Sequence, residues 1–185
     1  MGVDTAKLET ATRLFLEGLG ENPEDQHFLN TPKRVAKAWR DYFGKGYAED
    51  PKKELNVTFS DDYDQMIVID DIPFISHCAH HLVPFVGIAK IGYLPNKGKI
   101  TGLSKLARVV QGYAARLQIQ EQLSRQVAMA IQEVLEPKGV GVVLKAEHFC
   151  MSRRGAMATG AMTTTSYMLG QFRDEPETRH EFLNF

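Results

Sequence analysis

The chain contains little of what a secreted or membrane protein needs. Its 185 residues include two cysteines, Cys78 and Cys150, too few for a stabilising disulfide framework. No apolar run approaches the ~20 residues that a membrane-spanning helix requires. The opening stretch MGVDTAKLETATRLFL lacks the basic region of a signal peptide. We therefore expect a cytoplasmic protein that does not contact membranes.

The sequence also lacks an excess of charge of either sign. Its 22 basic and 23 acidic residues give a net charge of -1, so no global basic field is available to hold a nucleic-acid backbone. Hydrophobic residues make up 43% and charged residues 24%, as in ordinary globular proteins. The length suits one domain with a small additional lobe. We expect residues 1–60 to form an N-terminal helical region and residues 61–185 to form the main domain.

Hydrophobic periodicity divides the chain into helices and strands. Helical spacing predicts helices over residues 4–19, 31–44, 101–117, 119–135 and 174–185. Partial alternation and β-branched residues predict strands over residues 65–76, 85–95, 140–151 and 161–169. Thr31 and Asp174 are the predicted caps of their helices, and residues 48–56 are predicted to form a charged loop. Pairs of strands alternating with helices indicate an α+β fold with an antiparallel sheet.

The metal-seeking side chains are concentrated in two short segments, one around each cysteine. Both cysteines and four of the six histidines lie there. Cys78 and His81 have C-x-x-H spacing, which lets a tight turn direct both side chains to one ion. His148 and Cys150 alternate along a predicted strand, so they are expected to share a face. Because thiolate and imidazole ligands favour zinc, the pattern predicts a zinc site made by Cys78, His81 and Cys150.

The number of protein ligands separates two interpretations of this site. A closed structural site uses four, whereas two cysteines and one histidine leave a position for water, as in catalytic zinc sites. In the structural interpretation, His80 or His148 fills that position. In the catalytic one, zinc lowers the pKa of water to about 7, and His80 and His148 carry protons because imidazole titrates near neutral pH. His77 is a further metal-seeking side chain beside the cysteine.

A possible anion site lies in GLSKLARVV, residues 102–110. Ser104, Lys105 and Arg108 are spaced to lie near one face of a helix start. Cations there oppose the helix dipole, and this placement becomes favourable when N–H groups, a hydroxyl and two cations bind a phosphate. The alternative is a solvated charged face. Arg34 and Lys37, three residues apart, offer a second basic pair.

Further charged side chains lie near the predicted zinc site and at the start of the second long helix. Arg153 and Arg154 closely follow Cys150, so an anion site beside zinc hydroxide predicts hydrolysis of a phosphorylated substrate. Glu121 is either a first-turn acid favoured by the helix dipole or an acceptor for two donors of a flat base. The N1–H and exocyclic amine of guanine form such a donor pair, and Gln120 is placed to contact a neighbouring edge.

Five motifs in this order resemble the GTP cyclohydrolase I family: CAHHLVPF, GLSKLARVV, RLQIQEQL, HFCMSRRG and TRHEFL. The resemblance runs from about Thr31 to the C-terminus. It implies a tunnelling fold and a homo-oligomer, a toroidal decamer of two pentamers with active sites between subunits. It also implies a zinc hydrolase that opens the imidazole ring of GTP and releases C8 as formate. Ribose rearrangement and ring closure then give 7,8-dihydroneopterin triphosphate.

The resemblance implies a role for each matching residue. The implied zinc ligands are Cys78, His81 and Cys150. Protons are expected to be moved by His80 and His148, with His148 as the acid at the imidazole nitrogen. Guanine is expected to be anchored by Glu121 with Gln120 nearby. The triphosphate is expected to be held by Ser104, Lys105, Arg108 and Arg154, helped by Arg34 and Lys37.

One position departs from the family pattern. The family usually has Glu where this chain has Ala79, so a negative charge and a hydrogen-bond acceptor beside the zinc are lost. All three implied ligands remain, and metal binding is therefore expected to survive. The alternative hypothesis is a zinc-stapled nucleotide-binding protein with weak or no turnover. A related tunnelling-fold nitrile reductase would need a free nucleophilic cysteine, whereas both cysteines here are predicted to bind metal.

Overall fold

The computed structural model describes residues 2–185. The chain divides into two compact units, and the boundary between them lies between Glu49 and Asp50. The first unit is helical. Its elements are α1 (Thr5–Gly18), α2 (Thr31–Ala38), a π-helical turn (Trp39–Phe43) and a 3-10 turn (Lys45–Tyr47). The division into domains at residue 60 stays a prediction.

The N-terminal helices begin close to their predicted positions. The Asp4 side chain accepts a hydrogen bond from the Lys7 backbone N–H and caps α1. The predicted cap of α2 is wrong by one residue, because Asn30 is the N-cap and Thr31 is the first helical residue. The Thr31 N–H already donates to the Phe28 carbonyl oxygen in the preceding turn.

The second unit is built on a five-stranded sheet. The unit contains seven strands in all, namely β1 (Thr58–Ser60), β2 (Ile67–Cys78), β3 (Pro84–Leu94), β4 (Lys99–Thr101), β5 (Leu117–Gln118), β6 (Gly139–His148) and β7 (Met162–Gly170). The sheet order is β5-β2-β3-β6-β7, and β1 and β4 form a separate antiparallel pair. The central pairings β2–β3, β3–β6 and β6–β7 are antiparallel, while the short β5 runs parallel to β2.

Two long helices cover the sheet. The helices of this unit are α3 (Leu103–Ala114), α4 (Gln120–Leu135), α5 (Phe149–Ser152), α6 (Gln171–Asp174) and α7 (Pro176–Asn184). α3 packs against β2, and α4 packs against β6 and β7. The core between the two long helices and the sheet consists of buried side chains such as Leu106, Val127, Phe85, Ile91 and Leu144. The predicted α+β class, with an antiparallel sheet packed on two long helices, is confirmed.

Three local predictions are wrong for identifiable reasons. The predicted loop over residues 48–56 contains a 3-10 helix, Pro51–Asn56, which Asp50 caps by accepting from the Lys52 N–H. The strand predicted to reach residue 151 ends at His148, because pairing with β3 ends there and α5 follows. Asp174 ends α6 instead of capping the final helix, whose N-cap is Glu175.

Within residues 2–185, no helix combines the length and the apolar character required to cross a bilayer.

Candidate active site

A tight turn after β2 positions the first two metal-seeking side chains. Cys78 is the last residue of β2, and its carbonyl oxygen accepts from the N–H groups of His81 (3.3 Å) and Leu82 (2.8 Å). Leu82 adopts the left-handed region (φ 57°), which turns the chain back so that the Cys78 N–H donates to the Val83 carbonyl oxygen at 2.9 Å. As a result the Cys78 Sγ and the His81 Nδ1 lie 3.7 Å apart.

Cys150 reaches the same point from the end of β6. The sequence argument that alternation along a strand aligns Cys150 with His148 is wrong, because Cys150 lies in the helical turn α5. The structure nevertheless brings the Cys78, His81 and Cys150 ligand atoms within 4.8 Å of one another. His77, the further metal-seeking residue, is buried in β2 and does not belong to this group.

The chemistry of this donor set fits zinc. Burial raises the pKa of the Cys150 thiol, and the neighbouring Cys78 thiol raises it further. A bound cation would offset the repulsion between two thiolates this close together, and both thiols would lose their protons when it binds. Two thiolates and an imidazole form a ligand set typical of zinc. Zinc sites usually take four ligands, and this group would supply three of them.

His148 lies two residues before Cys150, and its ring is held by other contacts. Its Nε2 is 2.7 Å from the Gln120 Oε1, and its ring stacks on Phe85 with centroids 4.5 Å apart and an interplanar angle of 5°. Burial lowers the pKa of His148, while the nearby Glu121 carboxylate acts in the opposite direction. His80 is exposed and its ring meets that of His81 edge-on at 6.2 Å. Among the described residues, neither His148 nor His80 belongs to the three-residue group.

Gln120 is buried, although it is the first residue of α4. Its side-chain Nε2 donates to the backbone oxygens of Leu144 (3.1 Å) and Thr163 (3.0 Å) and to the Thr165 hydroxyl (3.2 Å). Because its Oε1 faces His148, every group of the amide already has a partner. The side chain of Gln120 therefore contacts the histidine, and its predicted placement near guanine stays a prediction.

The predicted anion-binding cations converge on a carboxylate that the sequence analysis missed. Lys105 Nζ lies 3.2 Å and Arg108 Nη1 3.5 Å from the same oxygen, Glu54 Oε2. A hydrogen bond from Lys105, with a smaller effect of Arg108, holds the pKa of Glu54 below its usual value. Glu54 lies in the 3-10 helix that was predicted to be a loop; the sequence DPKKE, a cap followed by Pro and an acid, signals such a helix start.

The other predicted site residues occupy several elements. Ser104 is exposed in the first turn of α3, Glu121 is exposed in the first turn of α4, and Arg154 is exposed after α5. The Arg153 guanidinium lies over the Phe149 ring at 5.5 Å. Arg34 and Lys37 lie on α2, in the N-terminal unit.

Comparison with known sequences gives a match over nearly the whole chain. The family model described as GTP cyclohydrolase I matches residues 8–185. Proteins named GTP cyclohydrolase 1 from Bacillus mycoides (strain KBAB4) and Bacillus cereus (strain B4264) are each 47% identical over 183 residues. Each alignment covers 99% of this chain and 96% of the relative.

Comparison with solved structures gives more distant similarities. The apo form of an archaeosine synthase QueF-Like is 15% identical with a TM-score of 0.49, covering 59% of this chain and 97% of that chain. Escherichia coli dihydroneopterin aldolase in complex with neopterin is 14% identical with a TM-score of 0.44, covering 57% of this chain and 99% of that chain.

Proposed function

This chain belongs to the GTP cyclohydrolase I family, and we propose that it converts GTP and water into formate and 7,8-dihydroneopterin triphosphate. The α+β architecture described above is accordingly the tunnelling fold of this family. The observation that carries the proposal is the convergence of Cys78, His81 and Cys150 on one point, with the hydrogen-bonded ring of His148 two residues before Cys150.

The residues that would hold zinc are Cys78, His81 and Cys150, which approach one another closely enough to share an ion. When bound, zinc acts as a Lewis acid and lowers the pKa of a coordinated water molecule to about 7.

The two remaining histidines are assigned to proton transfer. Burial keeps the pKa of His148 low, so its ring is neutral at neutral pH and can accept a proton before it donates one to the imidazole nitrogen of GTP. His80 is exposed beside His81, where it can exchange protons with solvent. Both roles are supported by position, since His80 directly precedes His81 and His148 is two residues before Cys150.

Substrate binding is assigned to the starts of two helices. Glu121 projects from the first turn of α4, where its carboxylate is free to accept two hydrogen bonds from guanine. The triphosphate is assigned to basic and hydroxyl side chains, namely Ser104, Lys105, Arg108 and Arg154, helped by Arg34 and Lys37. Support comes from Lys105 and Arg108, whose cationic groups already converge on one anionic oxygen.

We also propose the toroidal decamer that the resemblance implies, with active sites completed between subunits. The outer edge of β7 over Met162–Gly170 has no strand partner within residues 2–185, and it is available to pair with another copy. Light scattering during gel filtration tests this assembly, and a stable monomer with full activity would contradict it.

Ala79 is the observation behind a second candidate, a zinc-stapled nucleotide-binding protein without turnover. Ala79 is exposed, and its N–H donates to the Gln118 carbonyl oxygen at 2.9 Å. The backbone here is therefore held by β5 and does not need a side chain to keep the turn in place. On this basis we expect the metal site to form with Ala79 and turnover to be retained.

The deciding experiment measures zinc content, formate release and the fluorescent oxidised product after incubation with GTP. It is run on this chain and on Ala79→Glu. Formate from both proteins, with about one zinc per chain, supports the proposed enzyme. Full zinc and GTP binding without formate from this chain, with formate restored in Ala79→Glu, would establish the second candidate.

A further inference from the structure

We propose that Gln120 is a positioning residue that keeps a hydrogen on Nε2 of His148, so that the lone pair of the neutral ring is on Nδ1. This inference rests on the proposed function and adds to it a residue and a specific nitrogen atom. It is carried by the hydrogen bonds of one buried amide.

The orientation of the Gln120 amide is fixed by what surrounds it. Its nitrogen lies 3.1 Å from the Leu144 carbonyl oxygen and 3.0 Å from the Thr163 carbonyl oxygen, on the neighbouring strands β6 and β7. Carbonyl oxygens only accept hydrogen bonds, so the reversed amide would place its own oxygen against two others. The NH2 group must therefore face the strands, and Oε1 must face His148.

The amide orientation determines which nitrogen of His148 carries the hydrogen. Gln120 Oε1 is an acceptor, and the His148 Nε2 at 2.7 Å must therefore donate. A neutral ring is then the Nε2–H tautomer, whose lone pair is on Nδ1. Gln120 is 1% exposed, so water cannot readily take over as the partner of His148.

Phe85 restricts the remaining freedom of the ring. It is fully buried, lies opposite His148 in the β3–β6 register and stacks parallel to its ring. The stack fixes the plane of the imidazole but permits a 180° flip within that plane. Only one of the two flips places a nitrogen against Gln120 Oε1, so the hydrogen bond selects the orientation.

The hydrogen bond leaves one acceptor on the ring. With Nε2–H held by Gln120, the Nδ1 lone pair is the only ring nitrogen of a neutral His148 that can accept a hydrogen bond.

The test compares two variants of the zinc-loaded protein. Gln120→Met removes the acceptor at nearly constant volume, and we expect kcat for formate release to fall ~10- to 100-fold, the usual effect of losing a partner that orients a site residue. KM for GTP and zinc content should stay within about twofold of the original protein. Thr165→Val is the matched control, because it removes one acceptor of the Gln120 amide and leaves both carbonyls that orient it. Its kcat should be unchanged.

A spectroscopic measurement reads the tautomer directly. Protein labelled with 15N-histidine should show the Nε2–H tautomer for the His148 signal, identified by its disappearance in His148→Asn. In Gln120→Met this tautomer preference should be lost, whereas Thr165→Val should retain it. A role in packing alone would lower stability in both variants without changing the tautomer.

Three results would overturn the inference: an Nδ1–H tautomer in the unsubstituted protein, an unchanged kcat in Gln120→Met, or an equal loss of kcat in Thr165→Val. The tautomer of the unsubstituted protein decides the matter even if Gln120→Met fails to fold. If the protein releases no formate but shows the Nε2–H tautomer, the proposed function fails while the assigned hydrogen position stands.

Discussion

Replacing Glu54 by glutamine should strengthen triphosphate binding. Glu54 Oε2 is 3.2 Å from Lys105 Nζ and 3.5 Å from Arg108 Nη1, so two proposed phosphate-binding cations are opposed by one carboxylate. Because Lys105 holds the pKa of Glu54 below its usual value, the carboxylate is ionised at neutral pH. A triphosphate must therefore displace or tolerate a negative charge, whereas the amide in Glu54→Gln would keep a hydrogen-bond acceptor without that charge.

The size of the effect follows from the exposure of the pair. The side chains of Lys105, Arg108 and Glu54 are 22%, 57% and 36% exposed, so water screens both interactions. Ion pairs of this kind contribute ~0.2–1 kcal/mol each, and releasing both changes binding by ~0.4–2 kcal/mol. At 1.4 kcal/mol per factor of ten, the dissociation constant should fall ~2- to 30-fold.

Calorimetric titration with inorganic tripolyphosphate, together with KM for GTP, measures this change. Glu133→Gln is the matched control, because it removes the same charge and breaks the Lys52–Glu133 ion pair (2.7 Å), whose lysine lies on the same 3-10 helix as Glu54. The difference in tripolyphosphate affinity between Glu54→Gln and the original protein should shrink as the pH falls through the pKa of Glu54, because protonation neutralises the carboxylate in the original protein. Weaker tripolyphosphate binding in Glu54→Gln would show that Glu54 organises the cations and does not compete for them.

Two further substitutions test the remaining parts of the site. Cys150→Ala leaves two of the three converging ligands, so zinc measured by mass spectrometry should fall from about one per chain towards zero and ring opening should cease; a fully zinc-loaded variant would remove Cys150 from the ligand set. Glu121→Ala should raise KM for GTP at least ~10-fold, because hydrogen bonds to a charged group contribute ~1.5–3 kcal/mol, and zinc content should stay constant. An unchanged KM would refute the guanine-binding role.

Local sequence patterns predicted the elements whose causes are local. The C-x-x-H spacing of Cys78 and His81 anticipates a tight turn, and three backbone hydrogen bonds of that turn join residues 78–83 to one another, while the Ala79 N–H donates to Gln118. The end of β6 has a different cause. The apolar alternation continues through Cys150, but the next residue of β3 beyond Phe85 is Pro84, which has no N–H to donate, and the strand stops at His148. The residue at which a strand ends depends on its partner strands, which are distant in sequence, so the pattern of one segment cannot predict it.

The two interactions that sequence reasoning missed are non-local in the same sense. Glu54 meets Lys105 across 51 positions of the chain, and Gln120 meets His148 across 28. A glutamine at the start of a helix is ordinarily exposed, so nothing local indicates that Gln120 is buried against β6 and β7. Its role follows from the packing of α4 on the sheet.

The register of the sheet connects these distant contributions. Phe85 lies opposite Ser76 on one side and His148 on the other, so β3 sets the position of His148 relative to the end of β2. Gly87 keeps this register, because a Cβ there would collide with the backbone of Lys145 on β6. A slip of one residue would reverse every side chain of the strand. The turn that carries Cys78 and His81 is held mainly by its own hydrogen bonds, whereas His148 and Cys150 both depend on where β6 ends. Damage to the core packing should therefore impair metal binding and proton transfer together.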